Sequence, residues 1–291
     1  MKIGVVFPQT EIGADVADVR AYGEGVDSFG FDHLLAYDHV VGADPSVHLG
    51  WDGPYDVHTT FQEPFVLFGF LAAITKLELV TGVIILPQRQ TALVAKQAAQ
   101  VDLLTQGRFR LGVGIGWNKV EYDVLGKDFH TRGRRLDEQV SLLRRLWSEE
   151  SVTVEGTDEP VTGAGLAPLP VQRPIPIWFG GSSPAAYARM GRLADGWFPQ
   201  VSPGAALDAA VDRVGAAAEA AGRDPADIPM EGRVNWHGSV ARLIETVEAW
   251  EAAGASHITI NTMGAGLGSV HDHLALLAEL GDNLDLRRSV R

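Results

Sequence analysis

The run Phe179-Gly180-Gly181-Ser182-Ser183-Pro184 has the makings of an anion-binding turn. Two glycines let the main chain approach a ligand closely, Ser183 is a good helix N-cap, and Pro184 suits the first helical position. Free N–H groups at such a helix start favour an anion, most naturally a phosphate. A plain capped strand-to-helix turn is the other reading. Gly264-Ala265-Gly266-Leu267-Gly268 is a rival phosphate loop or a flexible turn. Gly112-Val113-Gly114-Ile115-Gly116 lacks the third glycine of a dinucleotide fingerprint and begins inside a strand, so it better leaves room for a flat ligand over strand ends.

His39 is the candidate proton-transfer group, directly after an apolar run (HLLAY, 33–37) and beside Asp38, which could steer its tautomer. A histidine capping a loop hydrogen bond is the competing reading. His48 and His58 read as loop residues, and Glu63, before Pro64, as a helix cap. Arg132, Arg134 and Arg135 could hold an acidic tail or form a solvated basic helix start. Other chemistries are tested by what is missing. A metal hydrolase wants a His-x-His pair on the first strand, and Ile3–Pro8 has none. A two-carboxylate glycosidase needs acids at two strand exits, but the fourth strand exits into Gly116-Trp117-Asn118. No strand-end Lys or Glu stands out as the base of a phosphosugar isomerase. Glycines, aromatics, one histidine and a phosphate turn suit a phosphorylated planar cofactor that carries the hard chemistry.

Strands and helices must alternate to bring these residues together. Leu77–Leu86 is a nearly continuous apolar run, as expected of a doubly buried strand, broken at Pro87. Ala92–Leu104 reads as a helix ended by Gly107, and Arg108–Ile115 as the next strand. The spacing predicts strands at Ile3–Phe7, His33–Tyr37, Ile175–Phe179, Gly196–Pro199, Ile228–Val234 and His257–Asn261. It predicts helices at Asp15–Phe29, Pro64–Thr75, Arg132–Ser148, Pro184–Leu193, Pro203–Ala221, Val240–Ala253 and Val270–Leu280. Two irregular inserts interrupt the alternation, Gly42–Gln62 after the second strand and Ser151–Arg173 before the fifth. Such long loops are usually functional or disordered. Eight strand–helix units with no composition break predict one (β/α)8 barrel domain over residues 1–291, whose strand exits form the catalytic end.

Composition narrows the setting. At 46% hydrophobic content, 291 residues can bury one large core. There is no cysteine, which removes disulfides and thiolate chemistry. A net charge of −13, from 24 basic and 37 acidic residues, argues against nucleic acid or an anionic membrane as partner. The first residues, MKIGVVFPQ, enter a strand without a leader pattern, and no run reaches the roughly 18–20 apolar residues of a membrane span. A soluble cytoplasmic location is the expectation.

Several separated segments resemble the bacterial luciferase-like monooxygenase superfamily, in particular its branch dependent on coenzyme F420, an 8-hydroxy-5-deazaflavin. They are LLAYDHV (34–40), TGVIILPQRQTALVAKQAAQVDLLTQGRFRLGVGIGWN (81–118), TRGRRLDEQ (131–139) and PIWFGGSS…GRLADGWFP (176–199), so the likeness covers essentially the whole chain. FMN-using members share most of these motifs. The resemblance implies a (β/α)8 barrel with the cofactor ring across its mouth and a non-proline cis peptide at Gly82–Val83, bulging against one ring face. It implies His39 as acid/base beside Asp38, a cofactor contact near Gly116 and Asn118, and phosphate binding by Gly180, Gly181, Ser182 and Ser183. It further implies a homodimer and hydride transfer between the deazaflavin and a small-molecule substrate. Alternatives are an FMN-dependent monooxygenase supplied by a partner flavin reductase, and a non-catalytic flavin or deazaflavin binder. In one respect the chain departs from the sugar-phosphate dehydrogenase branch. Trp117 stands where that branch has a glutamate proton donor, which points to a less polar substrate.

Overall fold

A computed structural model of the chain describes residues 1–286. The first unit is β1 (Lys2–Val6), α1 (Val16–Ser28) and β2 (His33–Ala36). After the first insert come α2 (Pro64–Leu71), β3 (Glu78–Thr81), β4 (Ile84–Ile85), α3 (Thr91–Leu104), β5 (Phe109–Gly114), α4 (Lys119–Val124) and α5 (Arg132–Ser148). The second insert holds β6 (Val152–Val154) and β7 (Val161–Ala164), and β8 (Ile177–Gly180), α6 (Pro184–Leu193), β9 (Gly196–Phe198) and α7 (Ala205–Ala220) follow. The chain closes with β10 (Glu231–Asn235), α8 (Val240–Ala252), β11 (His257–Asn261) and α9 (Val270–Asn283).

All the pairings of the large sheet are parallel, in the order β10-β11-β1-β2-β3-β5-β8-β9, with β4 also on β5. A bridge from Trp197 to Met230, with the Trp197 amide donating to Pro229 O at 3.0 Å, joins β9 to the start of β10 and nearly closes the ring. Taking β3 and β4 as one interrupted strand, this is the eight-stranded α/β barrel that the alternation predicts. Connections of this kind place every helix outside the strands. On α5, the buried stripe Leu136, Val140, Leu143 and Trp147 packs onto the barrel, each such side chain contributing roughly 1.5–3 kcal/mol. Among the described residues no helix is long and apolar enough to cross a membrane.

The third strand is shorter than its predicted run, and the cis peptide that the resemblance implies at Gly82–Val83 is present. The apolar run Leu77–Leu86 is interrupted by a cis peptide at Gly82–Val83 and ends in a 3-10 turn over Leu86–Gln88. Hydrogen bonds fix the chain on the near side of the break, with the Gly82 amide donating to Ala36 O and the Thr81 hydroxyl to Gly112 O, both at 2.8 Å. The glycine run of β5 accommodates it. A Cβ on Gly112 would meet the Thr81 carbonyl oxygen at 1.8 Å, and one on Gly114 would meet Val83 Cγ2 at 2.7 Å. A Cβ on Gly82 would strike Leu35 at 2.3 Å. The small hairpin of β6 and β7 contains one strand that the polar, glycine-containing sequence does not announce.

Inside the barrel the inward side chains form tiers, as strand alternation requires. The lower tier is polar. Arg110 lies 3.0 Å from Glu78 and 2.7 Å from Glu231 and stacks over Trp178, while His33 Nε2 reaches Glu231 at 2.9 Å and Thr259 at 3.0 Å. Above it an apolar tier of Val6, Leu35, Val80, Trp178 and Phe198 fills the bore.

Candidate active site

Above that tier, at the carboxyl ends of the strands, is a cavity of about 570 Å³. That volume is typical of small-molecule sites. Its lining includes Asp38, Gly82, Val83, Gly116 and all of Gly180–Ser183, so eight of the ten residues singled out from sequence meet there. Val83 is seated between Gly114 and Gly180; a Cβ on Gly180 would lie 3.1 Å from its Cγ1. Two glycines thus let the chain at the cis bond push a branched side chain into the bore.

The turn after β8 has the geometry its composition suggests. Ser183 caps α6, its hydroxyl accepting from the Ala186 amide at 3.1 Å, and Pro184 takes the first helical position. Gly181 has φ +147°, where a side chain is strained. Among the described residues the amides of Gly181, Ser182 and Ser183 donate to no protein acceptor, leaving a helix N-terminus open toward the cavity. The rival loop at Gly264–Gly268 does not reach the cavity, and the Gly264 amide is taken by Glu11 at 2.6 Å. Arg134 and Arg135 pair with Asp158 and with Glu138 or Glu159, and Arg132 stacks on Phe129, so that helix start faces the second insert.

Asp38 anchors rather than reacts. Its Oδ2 accepts from the Ile85 amide at 3.0 Å and its Oδ1 from Arg89 Nη2 at 2.7 Å, which ties β2 to the chain beyond the cis bond. Burial raises its carboxyl above the ordinary range, with Arg89 and the Ile85 amide opposing.

His39 and Asn118 lie outside the lining. Asn118 caps α4, accepting from the Glu121 amide at 3.3 Å, and is buried. The His39 side chain is 6% exposed. Its ring stacks at 18° on Trp117 and packs on Tyr55 and Phe61, one layer behind the wall that Trp117 and Tyr55 form. Nδ1 of His39 is 3.2 Å from Oε1 of Glu121, and Nε2 is buried without a hydrogen-bond partner. Glu121 also accepts from the amides of Val40 and Val41 and from Gln88 Nε2. Burial pulls its carboxyl upward, but the His39 contact and these donors hold it below the ordinary range.

The sequence reading missed Glu121, and also Tyr37, Tyr55, Gln200 and Arg233 in the lining. Glu121 stands three residues after the Asn118 cap, where a capping-box acid is expected, and that spacing was its only signal. Arg233 is detectable by period two along β10, in step with Glu231. The first insert places Pro54 and Tyr55 over the mouth. Trp51 packs 5.7 Å from Trp117 and donates to Tyr55 O at 3.1 Å. The second insert stays outside, where Glu159 accepts from the Thr91 amide at 2.7 Å and Asp102 from Val171 and Gln172.

The family model of luciferase-like monooxygenases matches residues 1–230. An F420-dependent glucose-6-phosphate dehydrogenase of Nakamurella multipartita is 31% identical over 246 residues, covering 82% of this chain and 68% of that protein. An FMNH2-dependent dimethylsulfone monooxygenase of Pseudomonas fluorescens is 34% identical over 165 residues, 55% of this chain and 45% of the other. Against Mycobacterium tuberculosis proteins that are 37% identical over 164 residues, the chain spans 56% of the relative's length and matches over 56% of its own. In fold it is similar to an F420-dependent secondary alcohol dehydrogenase solved with an F420-acetone adduct, at TM-score 0.78 and 17% identity over 96% of this chain and 97% of that one. The match to residues 1–230 covers well over half of the sequence, and the chain belongs to the luciferase-like monooxygenase family.

Proposed function

We propose that the chain is an F420-dependent oxidoreductase that moves a hydride between the deazaflavin and a small organic substrate. The observation that carries this reading is the pairing of a glycine-walled cavity with an open helix N-terminus. Val83, Gly114, Gly116 and Gly180 leave space for a flat ring, and the amides of Gly181, Ser182 and Ser183 are free for its phosphate. When bound, F420 supplies a carbon that accepts or releases a hydride.

The protein's own residues orient, shield and exchange a proton. Val83 would support the ring, and Tyr55 and Trp117 line the part of the cavity that would receive the substrate. The insert 42–62, pinned through Trp51 and Tyr55, limits access of water. His39 is assigned the proton that accompanies the hydride. Its Nε2 has no protein partner, and the half-exposed Trp117 ring lies between it and the cavity. The F420-dependent relative matches 82% of this chain, against 55% for the FMNH2-dependent one, which supports the deazaflavin as cofactor.

The test is separate fluorescence titration with F420 and with FMN. Saturable F420 binding that is weakened by disrupting the Gly180–Ser183 turn is expected. Tight FMN binding with none for F420 overturns the proposal in favour of a flavin monooxygenase, and failure to bind either overturns both.

A further inference from the structure

Four arginines lie in or beside the barrel mouth and bore, and three of them are neutralised. Arg89 pairs with Asp38 and Glu63, Arg110 with Glu78 and Glu231, and Arg189 with Asp137. Arg233 is the exception, with no carboxylate partner among the described residues. It occupies an inward position on β10, in step with Glu231, between the buried Gly232 and Val234. The residue is nevertheless exposed, because the bore above it is the cavity itself. Glu231 cannot serve as its counter-ion, since that carboxylate is already held by Arg110, His33 and Thr259.

Donors converge on this point. Arg233 Nη1 lies 3.5 Å from the Tyr37 hydroxyl, and Tyr55, also in the lining, is close enough to feel the charge of both. Burial pushes the Tyr37 and Tyr55 phenols above their ordinary range, so both hydroxyls stay protonated and can donate. The Tyr37–Arg233 contact joins β2 to β10 over β1 and β11. In a ring of eight strands that is the side opposite β8, where the phosphate turn sits. A guanidinium without a carboxylate partner at an inward site of a chain with net charge −13 calls for an anion, and the Tyr37 hydroxyl beside it, with Tyr55 in the same lining, offers donors that suit an oxyanion.

We infer that Arg233, with Tyr37 and Tyr55, is the substrate's anion subsite, and that the substrate is a small organic acid. Its carboxylate sits on the guanidinium, and its apolar body lies against Trp117 and Pro54. This deepens the proposed function, and rests on it only in giving the other end of the cavity to the cofactor.

The experiment uses phenylacetate and its neutral counterpart phenylacetamide as probes, titrated calorimetrically into the full-length protein with and without F420. The acid is expected to bind more tightly than the amide. Arg233→Met should weaken the acid about tenfold or more, and Tyr37→Phe about fivefold, with amide binding unchanged. Arg233→Lys, which keeps the charge but loses the planar fork, should retain part of the affinity. Equal affinity for acid and amide overturns the inference, as does absence of saturable binding by either at millimolar concentration. If Arg233→Met weakens F420 by the same factor as the acid, the arginine belongs to the cofactor and the inference fails. Loss of F420 binding by the unaltered protein would sink only the function proposed above, because the cofactor-free titration still reads the arginine.

Discussion

Nδ1 of His39 and Oε1 of Glu121 lie 3.2 Å apart, with side chains 6% and 3% exposed. The carboxylate is held in place by the Val40 and Val41 amides and by Gln88, so the contact fixes the imidazole tautomer with Nδ1 as donor and Nε2 free. Sequence position separates the two by 82 residues, and the neighbouring β2-β3-β5 order of the sheet brings the end of β2 near α4.

From this pair the first prediction follows. His39→Ala should lower turnover by about 100-fold, the usual scale for losing a general acid or base, with F420 affinity nearly unchanged. Glu121→Gln should lower turnover less, because an amide at that place cannot accept from Nδ1 and hold the ring as firmly as the carboxylate does. Single-turnover kinetics with both variants decide it. Unaltered rates in His39→Ala would remove the histidine from proton transfer.

The second prediction concerns the glycines around Val83. A Cβ on Gly114 lies 2.7 Å from Val83 Cγ2, and one on Gly180 lies 3.1 Å from Cγ1. Something must shift in the first case, while a few tenths of an ångström suffice in the second. Gly114→Ala should therefore lower the melting temperature and weaken cofactor binding more than Gly180→Ala does. Gly114→Ala combined with Val83→Ala should recover much of the lost stability, as coupled neighbours do. Thermal melts of the four proteins test the order, and a Gly180→Ala variant that is the worse of the two refutes it.

These residues also mark how far sequence reading reached. Alternation of apolar runs with helix periods placed all eight barrel strands, because each strand carries its own burial pattern. The capped glycine turn before α6 was legible because N-cap, first-turn proline and paired glycines are local chemistry. What escaped notice depends on distant contacts. The role of Gly112 and Gly114 is set by Thr81 and Val83 on the neighbouring strand, and no period along β5 reveals that. His39 lies behind the cavity wall because Trp117 and Tyr55, from two different loops, close over it. Arg233 acquires meaning only once every other nearby arginine is seen to have a partner.

Removing Ser183's hydroxyl gives the third prediction. The Ser183→Ala change deletes the cap on the Ala186 amide and should cost about 0.5–2 kcal/mol. Ser183→Gly should cost only a few tenths by the same argument. If the hydroxyl also contributes to phosphate binding, F420 affinity falls in both variants, so stability and affinity separate. Chemical denaturation and fluorescence titration on the pair read the two effects independently.

The last prediction is an acid instability rooted in the polar tier. Burial opposes ionisation of Glu231, yet Arg110, His33 and Thr259 hold its carboxyl far below the ordinary range. Below the unfolded carboxylate value of about 4.5, the unfolded chain takes a proton that the folded chain refuses, so that stabilisation is lost as pH falls. His257 acts in the same direction from a higher pH. Burial, together with the charge of Arg110, pushes its imidazole down to about 3, so the folded state stays neutral where an unfolded histidine protonates below about 6.5. His273 is lowered as well, chiefly by burial. The melting temperature should therefore begin to fall near pH 6.5, well before the carboxylates titrate. His257→Gln should shrink the fall between about pH 6.5 and 4.5, leaving in that window the share of His273 and, below 4.5, the part due to Glu231. Arg110→Met should be more severe near neutral pH, by about 3–5 kcal/mol, because it takes the guanidinium away from the buried Glu231 carboxylate and from Glu78. A melting curve for His257→Gln that parallels the parent from pH 7 to 4.5 would exclude the histidine as the source.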